Sequence, residues 1–436
     1  MAKKKQIYEC QSCGYQSGKW MGKCPNCGEW DSFVELSKFE KSPTAPSTHT
    51  TSKVIAIDDI KEDEIERFCS GDEEFDRVLG GGIVPGSLVL IGGSPGVGKS
   101  TLMLKIASNS NQKVLYVAGE ESPGQIKLRA NRLNSHNKNL FLYPEIILEN
   151  IITEIKNGYD LIIIDSIQTI YSNAITSAPG SVSQVRETTF ELMRLAKELK
   201  IPIFIIGHIT KEGSIAGPRI LEHMVDTVLY FEGDSSRELR ILRGFKNRFG
   251  STSEIGIFEM TKNGIESAKN RTFFSKKPQI GSAISVVMEG TRPLVIEVQA
   301  LVAESYGNPK RSTTGYELNR LNMILALLEK KLNLPFNQYD VFVNITGGIK
   351  ITEPSADLAI IAAIISSFRD RKISKESVFI GEVSLVGDIR DVTSLDTRLK
   401  EAKSLGFTKA IVPSKPIEET IKTYIANEVE KVIEWM

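Results

Sequence analysis

An eight-residue stretch at positions 93–100, Gly-Ser-Pro-Gly-Val-Gly-Lys-Ser, constrains the fold of this chain more than any other segment. It fits the pattern G-x-x-x-x-G-K-[ST], a loop whose backbone N–H groups surround the phosphates of a nucleotide. A short apolar run at 87–91 is typical of a buried strand, and the residues from Thr101 onward favour a helix. This order predicts an α/β fold with a mostly parallel sheet, flanking helices and a nucleotide at a helix N-terminus. The alternative, an ordinary glycine-rich turn, is disfavoured by the three glycines, the Lys-Ser pair and the flanks together.

The loop supplies most of the candidate nucleotide contacts. Lys99 is expected to reach the β- and γ-phosphates of ATP, and the hydroxyl of Ser100 is expected to bind Mg²⁺. The glycines let the backbone turn tightly, and the helix N-terminus adds partial positive charge beneath the phosphates. The residues predicted to bind ATP or ADP are Gly93, Ser94, Pro95, Gly96, Val97, Gly98, Lys99, Ser100 and Thr101.

Other polar residues follow apolar runs that are typical of buried strands, namely Glu120, Asp165 and His208. Since the carboxyl ends of parallel strands meet at one edge of a sheet, we expect all three beside the nucleotide. Asp165 is predicted to bind Mg²⁺, with helix capping as the weaker alternative, and Glu120 is predicted to orient the attacking water. His208 is interpreted either as a sensor of the γ-phosphate or as a plain loop residue. Glu121, beside Glu120, is expected to be solvated.

Four of the five cysteines lie within eighteen residues, as two C-x-x-C pairs. Such spacing places two thiolates on each of two tight turns and predicts a closed, tetrahedral Zn²⁺ site of the structural kind. Two redox pairs or two disulfides fit less well in so short a segment. The predicted zinc ligands are Cys10, Cys13, Cys24 and Cys27.

Composition limits the partners and the compartment. The 436 residues carry 54 basic and 54 acidic side chains, so any affinity for nucleic acid must come from local patches. The longest apolar run, at 358–365, is too short to cross a bilayer, and the N-terminus lacks an apolar signal core. We therefore expect no membrane association and a cytoplasmic protein.

A basic segment at 240–250 ends in Lys-Asn-Arg-Phe-Gly. In a strand, Lys246 and Arg248 would share one face, because side chains alternate with period two. Two cations on one face repel unless they meet anions. They are predicted either to act as arginine-finger-like groups on a neighbour's nucleotide or to contact DNA phosphates. With Lys99 and Glu120 they complete the predicted catalytic set.

These motifs occur together in one known family. The matching stretches are the cysteine pairs, GGGIVPG, GGSPGVGKST, GEES, IIIDSIQT, APGSVSQVRE, GHITKEG, AGPRILEHMVDTVLYFEG and KNRFGST. On these grounds nearly the whole chain resembles the bacterial RadA (Sms) family of RecA-related DNA repair ATPases. KNRFG is the most diagnostic motif, because ordinary P-loop ATPases lack it.

The resemblance implies a homohexameric ring with ATP sites between subunits and single-stranded DNA in the central channel. It also implies a DNA-dependent ATPase, a helicase-type motor that drives branch migration of the branched intermediates made by the RecA recombinase. The loops at 172–184 and 210–219 correspond to the DNA-facing loops of RecA-like rings. Lys246 and Arg248 would act across the subunit interface or on DNA.

The C-terminal part resembles the proteolytic domain of Lon proteases, through EPSADLA, GEVSLVGDIR and LGFTKAIVP. Ser355 stands where the Lon nucleophile would be. Counting along the chain, the position of the Lon lysine falls on Asp396, which cannot accept a proton as a neutral amine does. Lys400 lies one helical turn further on, which leaves a substitute base open. We therefore expect a non-proteolytic scaffold.

The expected domains are a zinc finger at 1–36, a linker at 37–53, a RecA-like ATPase domain at 54–270, a hinge at 271–280 and an α+β Lon-like domain at 281–436. Two other functions stay open, an ATP-dependent Lon-like Ser peptidase and a RecA-like ATP switch that does not translocate. In the C-terminal domain we predict strands at 284–288, 294–299, 340–345 and 378–380, and helices at 318–332 and 356–367.

Overall fold

The structure, a computed structural model, describes residues 7–10, 15–26, 28, 30, 32–36, 66–135, 137–208, 220–233, 239–268, 273–275, 277–418 and 420–432. The chain divides into two compact units, Met1–Ala268 and Lys269–Met436. Across these described ranges, every helix is too short or too polar to span a membrane.

The first strands form a small antiparallel sheet. Strand β1 (Ile7–Cys10) lies between β2 (Gln16–Ser17) and β3 (Phe33–Leu36). Cys10, Cys24 and Phe33 are buried together at its centre. So small a segment cannot bury a large apolar core and needs an additional constraint such as a bound metal.

A nine-stranded sheet organises the rest of the first unit. Its order is β12-β11-β10-β9-β4-β8-β7-β5-β6, in which the six strands from β9 to β6 are parallel and the other three are antiparallel. The strands are β4 (Leu88–Gly92), β5 (Val114–Ala118), β6 (Leu140–Tyr143), β7 (Leu161–Asp165), β8 (Ile203–Ile206), β9 (Thr227–Glu232), β10 (Leu239–Asn247), β11 (Ile255–Thr261) and β12 (Gly264–Ser267).

Both faces of this sheet are covered, which explains why its central strands are apolar along almost their whole length. In β4, Val89 and Ile91 belong to one core, whereas Leu88 and Leu90 belong to the core on the opposite face. The helices of this unit are α1 (Glu73–Leu79), α2 (Lys99–Asn109), α3 (Pro123–Arg132), α4 (Leu148–Ile155), α5 (Val182–Leu199) and α6 (Ile220–Met224). The predicted α/β class with a mostly parallel sheet is confirmed.

The second unit has a seven-stranded mixed sheet of order β15-β16-β14-β13-β17-β20-β21, with a two-stranded ribbon of β18 and β19. Helix α8 is buried on nearly all sides, because almost every residue in it is apolar. The elements are β13 (Ser282–Glu289), β14 (Arg292–Glu304), β15 (Arg311–Thr314), α7 (Leu318–Leu332), β16 (Tyr339–Ile345), α8 (Asp357–Phe368), β17 (Ser377–Phe379), β18 (Glu382–Val383), β19 (Ile389–Arg390), α9 (Leu395–Ser404), β20 (Lys409–Val412), β21 (Lys422–Ile425) and α10 (Val429–Val432).

Candidate nucleotide-binding site

The glycine-rich loop connects β4 to α2. Gly93 cannot carry a side chain, because a Cβ atom there would lie 2.5 Å from the carbonyl oxygen of Phe231. Gly98 adopts φ 110° and precedes α2 as its N-cap, with no side chain capping the helix. The first N–H groups of α2, which lie at the positive end of the helix dipole, can therefore donate hydrogen bonds to a bound anion.

Lys99 is the first residue of α2 and only 4% of it is exposed. Its Nζ donates to the carbonyl oxygens of Gly93 at 2.7 Å and Ser94 at 3.2 Å, and lies 3.3 Å from Nδ1 of His208. Burial lowers the pKa of Lys99, although the charges of nearby acids oppose this. The ammonium group is thus incompletely compensated within the chain, and an added phosphate would stabilise it.

Asp165 ends β7 and is 5% exposed. Its carboxylate accepts hydrogen bonds from Tyr116, at 2.6 Å, and from Ser100. Burial nevertheless raises the pKa of Asp165, and the charges of Glu120 and Glu121 add to this effect. A buried carboxylate that forms no ion pair within the described part of the chain, beside the motif hydroxyl, fits Mg²⁺, so Ser100 and Asp165 would hold the ion. The ion would neutralise charge on the phosphates.

Glu120 is joined to Lys99 through His208. Because an ammonium group can only donate, Nδ1 of His208 accepts, and Nε2 carries the proton that it donates to Glu120 Oε1 at 3.0 Å. The Ser166 hydroxyl also donates to this carboxylate. Burial alone would raise the pKa of Glu120, but these hydrogen bonds and the Lys99 charge outweigh it and hold the pKa below its usual value. Glu120 is therefore an ionised acceptor that can orient a water molecule.

The expectation that Glu121 is a solvated residue is wrong. It forms an ion pair with Arg129 of α3, and its side chain is half-buried. The pairing was not visible in the sequence because the two residues are separated by a turn and most of a helix.

Two other contributors were missed. Tyr116 is buried in the middle of β5, and burial together with the Asp165 charge raises its pKa well above the usual range. Arg240, also buried, donates from Nε to the carbonyl oxygen of Val97 at 3.1 Å and so braces the loop. Arg240 stands in a segment with several basic residues, so its role did not show in the sequence, and a strand tyrosine looks like an ordinary core residue.

The segment with the KNRFG motif departs from the predicted strand. Strand β10 ends at Asn247, and its pairing with β9 is irregular between Gly244 and Lys246, so Arg248 lies beyond the strand. Lys246 Nζ donates to three carbonyl oxygens, those of Glu222 at 2.8 Å, His223 at 3.1 Å and Val225 at 2.8 Å. Burial lowers the pKa of Lys246. The prediction that Lys246 and Arg248 share one face of a strand, by the alternation of side chains, is therefore wrong.

Arg248 lies 3.3 Å from the carboxylate of Asp226 and keeps about half of its side chain exposed. Asp226 also accepts from the backbone N–H of Leu88, the first residue of β4, at 3.1 Å. Both cations of the motif thus contact the connection between α6 and β9. They are not brought to Lys99 or Glu120 of the same chain.

One predicted DNA-facing loop is held by Gln184. Its side chain accepts from the Ser172 N–H at 3.0 Å and donates to the carbonyl oxygens of Ser172, Ile175 and Ser177. This glutamine is buried in α5. The second predicted loop, 210–219, lies outside the described residues.

The cysteine pairs are described in part. Cys10 and Cys24 are both buried in one cluster, whereas Cys13 and Cys27 lie outside the described residues. No group of three possible ligands is found in the described ranges. Two buried thiols, one from each pair and packed in the same core, fit the donor chemistry of Zn²⁺.

In the second unit Ser355 lies beside an arginine rather than a lysine. Arg398 of α9 is fully buried and donates to Ser355 Oγ at 3.0 Å, to Glu353 Oε1 at 2.7 Å and to the carbonyl oxygen of Val286 at 2.7 Å. The Ser355 hydroxyl itself donates to Glu353 at 2.5 Å. Burial alone would raise the pKa of Glu353, but the hydrogen bonds from Arg398 and Ser355 hold it below its usual value.

The count that placed the Lon lysine position on Asp396 does not identify the partner of Ser355. Asp396 accepts from the backbone N–H of Glu418 at 3.0 Å, and Lys400 pairs with the Glu418 side chain. Counting residues along the chain did not find this partner, because which residue of α9 faces Ser355 depends on where the helix begins. A guanidinium group does not lose its proton in proteins, so Arg398 cannot act as the base for Ser355.

Three families of known proteins match parts of the chain. One described as a rubredoxin metal binding domain matches residues 8–35, an AAA domain matches 59–214, and subunit ChlI of Mg-chelatase matches 319–416.

Several known proteins are similar to the chain over all or nearly all of its length. The proteins named DNA repair protein RadA of Campylobacter jejuni and Helicobacter pylori strain 26695 are 62% and 58% identical to it, each with 100% of both chains covered. The protein of that name from Bacillus subtilis is 50% identical, over 96% of this chain and 94% of its own. A crystal structure of the RadB recombinase aligns with 45% of this chain at 23% identity and a TM-score of 0.37.

Proposed function

The chain belongs to the DNA repair protein RadA family, and from that premise we propose that it is a DNA-dependent ATPase that drives branch migration of recombination intermediates. The family and the domain matches support the general part of this proposal: a DNA repair protein with an ATPase domain, a metal-binding N-terminal domain and a ChlI-like, Lon-like C-terminal domain. The observation that best supports a DNA-coupled ATPase is the hydrogen-bonded chain from Lys99 through His208 to Glu120 at the carboxyl edge of the sheet.

Hydrolysis needs an anion site, a metal site and an acceptor for water. Lys99 and the uncapped N-terminus of α2 would bind the phosphates, while Ser100 and Asp165 would hold Mg²⁺, which would neutralise phosphate charge. Glu120 accepts a hydrogen bond from the water that attacks the γ-phosphorus. The water oxygen forms a new bond to this phosphorus while the bond to the bridging oxygen breaks; the proton of the water leaves with the inorganic phosphate, and ADP is released.

His208 is well placed to couple this chemistry to DNA. It contacts Lys99 and Glu120 and directly precedes segment 209–219, which includes the second predicted DNA-facing loop. Loss of the γ-phosphate would change the partners of Lys99 and Glu120, and hence the hydrogen bonds of His208. We propose that this change reaches the bound strand through the following segment.

The proposed assembly is a homohexamer in which single-stranded DNA passes through the ring and the RecA recombinase supplies branched substrates. Arg248, half-exposed beside Asp226, is the better candidate of the motif cations for an anion outside its own chain. Lys246 is engaged by three carbonyl oxygens, which supports a role in holding α6.

The Lon-like peptidase alternative is disfavoured by the surroundings of Ser355. Its neighbouring cation, Arg398, cannot accept a proton, and Glu353, to which the Ser355 hydroxyl donates, is a weak base because Arg398 holds its pKa below the usual value despite burial. The ATP switch that does not translocate differs from our proposal in what it does to DNA, and that difference can be measured.

The test is a three-stranded branch-migration assay on joint molecules made by RecA, with the full chain, ATP and Mg²⁺. We expect branch migration that requires hydrolysable ATP and is lost in Lys99→Ala, whereas the exposed-lysine variant Lys156→Ala retains it. ATP-dependent DNA binding without branch movement would contradict the proposal and favour the switch. Peptide cleavage lost in Ser355→Ala would favour the peptidase.

A further inference from the structure

Tyr116 has no part in the hydrolysis described so far, yet it touches the metal-binding carboxylate. It lies on β5, which pairs in parallel with β7, and 1% of it is exposed. Its hydroxyl donates to Oδ2 of Asp165 at 2.6 Å, and Asp165 also accepts from Ser100. The phenol and the motif hydroxyl therefore hold the same carboxylate.

We propose that Tyr116 is a positioning residue for Mg²⁺, because its hydroxyl fixes the orientation in which Asp165 is presented, together with Ser100, to the ion. This inference rests on the proposed nucleotide site. Partners of metal ligands commonly act in this way: they orient the ligand, and their loss weakens metal binding by about 10- to 100-fold.

The hydrogen bond, rather than packing alone, sets the position of the phenol. Tyr116 is one of the residues that line a cavity of about 140 Å³, whose other walls come mainly from α2, α3 and β6. A hydrogen bond to a buried carboxylate is directional and strong, and it constrains the position of the phenol in a way that apolar packing does not.

Removal of the hydroxyl would leave Oδ2 of Asp165 without this donor. The carboxylate could then rotate about its last bond, which is a soft torsion. Phosphate binding should be little affected, since Lys99 and the N-terminus of α2 do not contact Tyr116 among the hydrogen bonds described. The expected defect is thus specific to the metal.

The test compares Tyr116→Phe with Tyr159→Phe in the full chain. Tyr159 also donates to a carboxylate at 2.6 Å, that of Glu154, but it precedes β7 whereas Asp165 ends that strand. Mn²⁺ affinity is measured from the electron paramagnetic resonance signal of free Mn²⁺, in the presence of a non-hydrolysable ATP analogue. The affinity of a fluorescent ATP analogue is measured separately in EDTA.

We expect Tyr116→Phe to weaken Mn²⁺ binding by about 10- to 100-fold while nucleotide affinity in EDTA stays within twofold of wild type. Tyr159→Phe should change neither. Wild-type Mn²⁺ affinity in Tyr116→Phe would overturn the proposal. So would an equal loss of nucleotide affinity in EDTA, because Tyr116 would then support the domain as a whole.

These outcomes are distinct from failure of the proposed function. If the wild-type protein binds neither nucleotide nor Mn²⁺, the nucleotide site itself is wrong, and this inference fails with it. If it binds both but does not move DNA branches, the motor proposal fails and the role of Tyr116 stands.

Discussion

Lys99 and Arg398 are both buried cations with carboxylates nearby, but the balance between burial and ion pairing differs at the two sites. Lys99 is buried within the influence of the Asp165 and Glu120 carboxylates, and Arg398 is buried in contact with Glu353 and Ser355. Near Lys99, burial dominates, so the pKa of Lys99 is lowered and that of Asp165 is raised. Near Arg398, the ion pair dominates, and the pKa of Glu353 is lowered despite burial.

This difference suggests that the site around Lys99 requires a bound ligand to compensate its charges, whereas the Arg398–Glu353 ion pair does not. The charges around Lys99 would each be stabilised by something from outside, a phosphate for the lysine and a cation for Asp165. Arg398 already donates to Glu353, Ser355 and backbone carbonyl oxygens. We infer catalysis from the first arrangement and structural support from the second.

Arg398→Met should lower the free energy of unfolding of the second unit by about 3–5 kcal/mol, because it leaves Glu353 partly buried without its cation. Urea unfolding measures the loss. Lys400→Met is the control, since the Lys400–Glu418 pair is mostly exposed and contributes about 1 kcal/mol or less. Equal effects of the two substitutions would contradict the structural role of Arg398.

Lys99→Met should lower the rate of ATP hydrolysis by about 10²- to 10³-fold, the usual cost of removing a transition-state donor. It should also lower the free energy of unfolding, by about 1–3 kcal/mol, because the carbonyl oxygens of Gly93 and Ser94 lose their donor; this is less than the cost of Arg398→Met. Phosphate release and urea unfolding give the two values. Destabilisation as large as that of Arg398→Met would erase the distinction between the two sites.

Lys246→Met tests a cation whose described contacts are with carbonyl oxygens. Its loss leaves the end of α6 without its donor and should cost about 1–3 kcal/mol. Hydrogen exchange in α6 measures the local effect, with the exposed Lys262→Met as control. Unchanged exchange combined with lost hydrolysis would show that Lys246 acts on a neighbour's nucleotide.

Arg248→Ala should have the smallest effect on stability, about 1 kcal/mol or less, because Arg248 is half-exposed and the buried Asp226 keeps the Leu88 N–H and the nearby Lys197. Nucleotide affinity should be retained, whereas stimulation of hydrolysis by single-stranded DNA should fall. Branch migration at the wild-type rate in this variant would refute the coupling role of Arg248.

The fold was largely predictable because its buried elements have a simple pattern. Helix α7 was predicted with both ends correct, and β16 to within one residue. Apolar runs identified the central strands, since burial on both faces requires them to be apolar along almost their whole length. Strand β10 was not predicted correctly, because an irregular pairing at Gly244 does not appear in a period-two pattern.

The nucleotide site was predictable only where function fixes both residue type and spacing. The structure brings Lys99, Ser100, Glu120, Asp165 and His208 together, as expected from motif and strand ends. The contributions of Tyr116 and Arg240 depend on pairing between segments that are far apart in the chain, and no local pattern encodes them. For the same reason, Arg398 was overlooked as the neighbour of Ser355.

The most direct test of this account is the rate of ATP hydrolysis by the full chain, measured as phosphate release with and without a single-stranded oligonucleotide. We predict a severalfold rise on addition of DNA, and no such rise in Lys99→Met. The same rate of hydrolysis in the presence and absence of DNA would contradict the claim that this site powers movement on a strand.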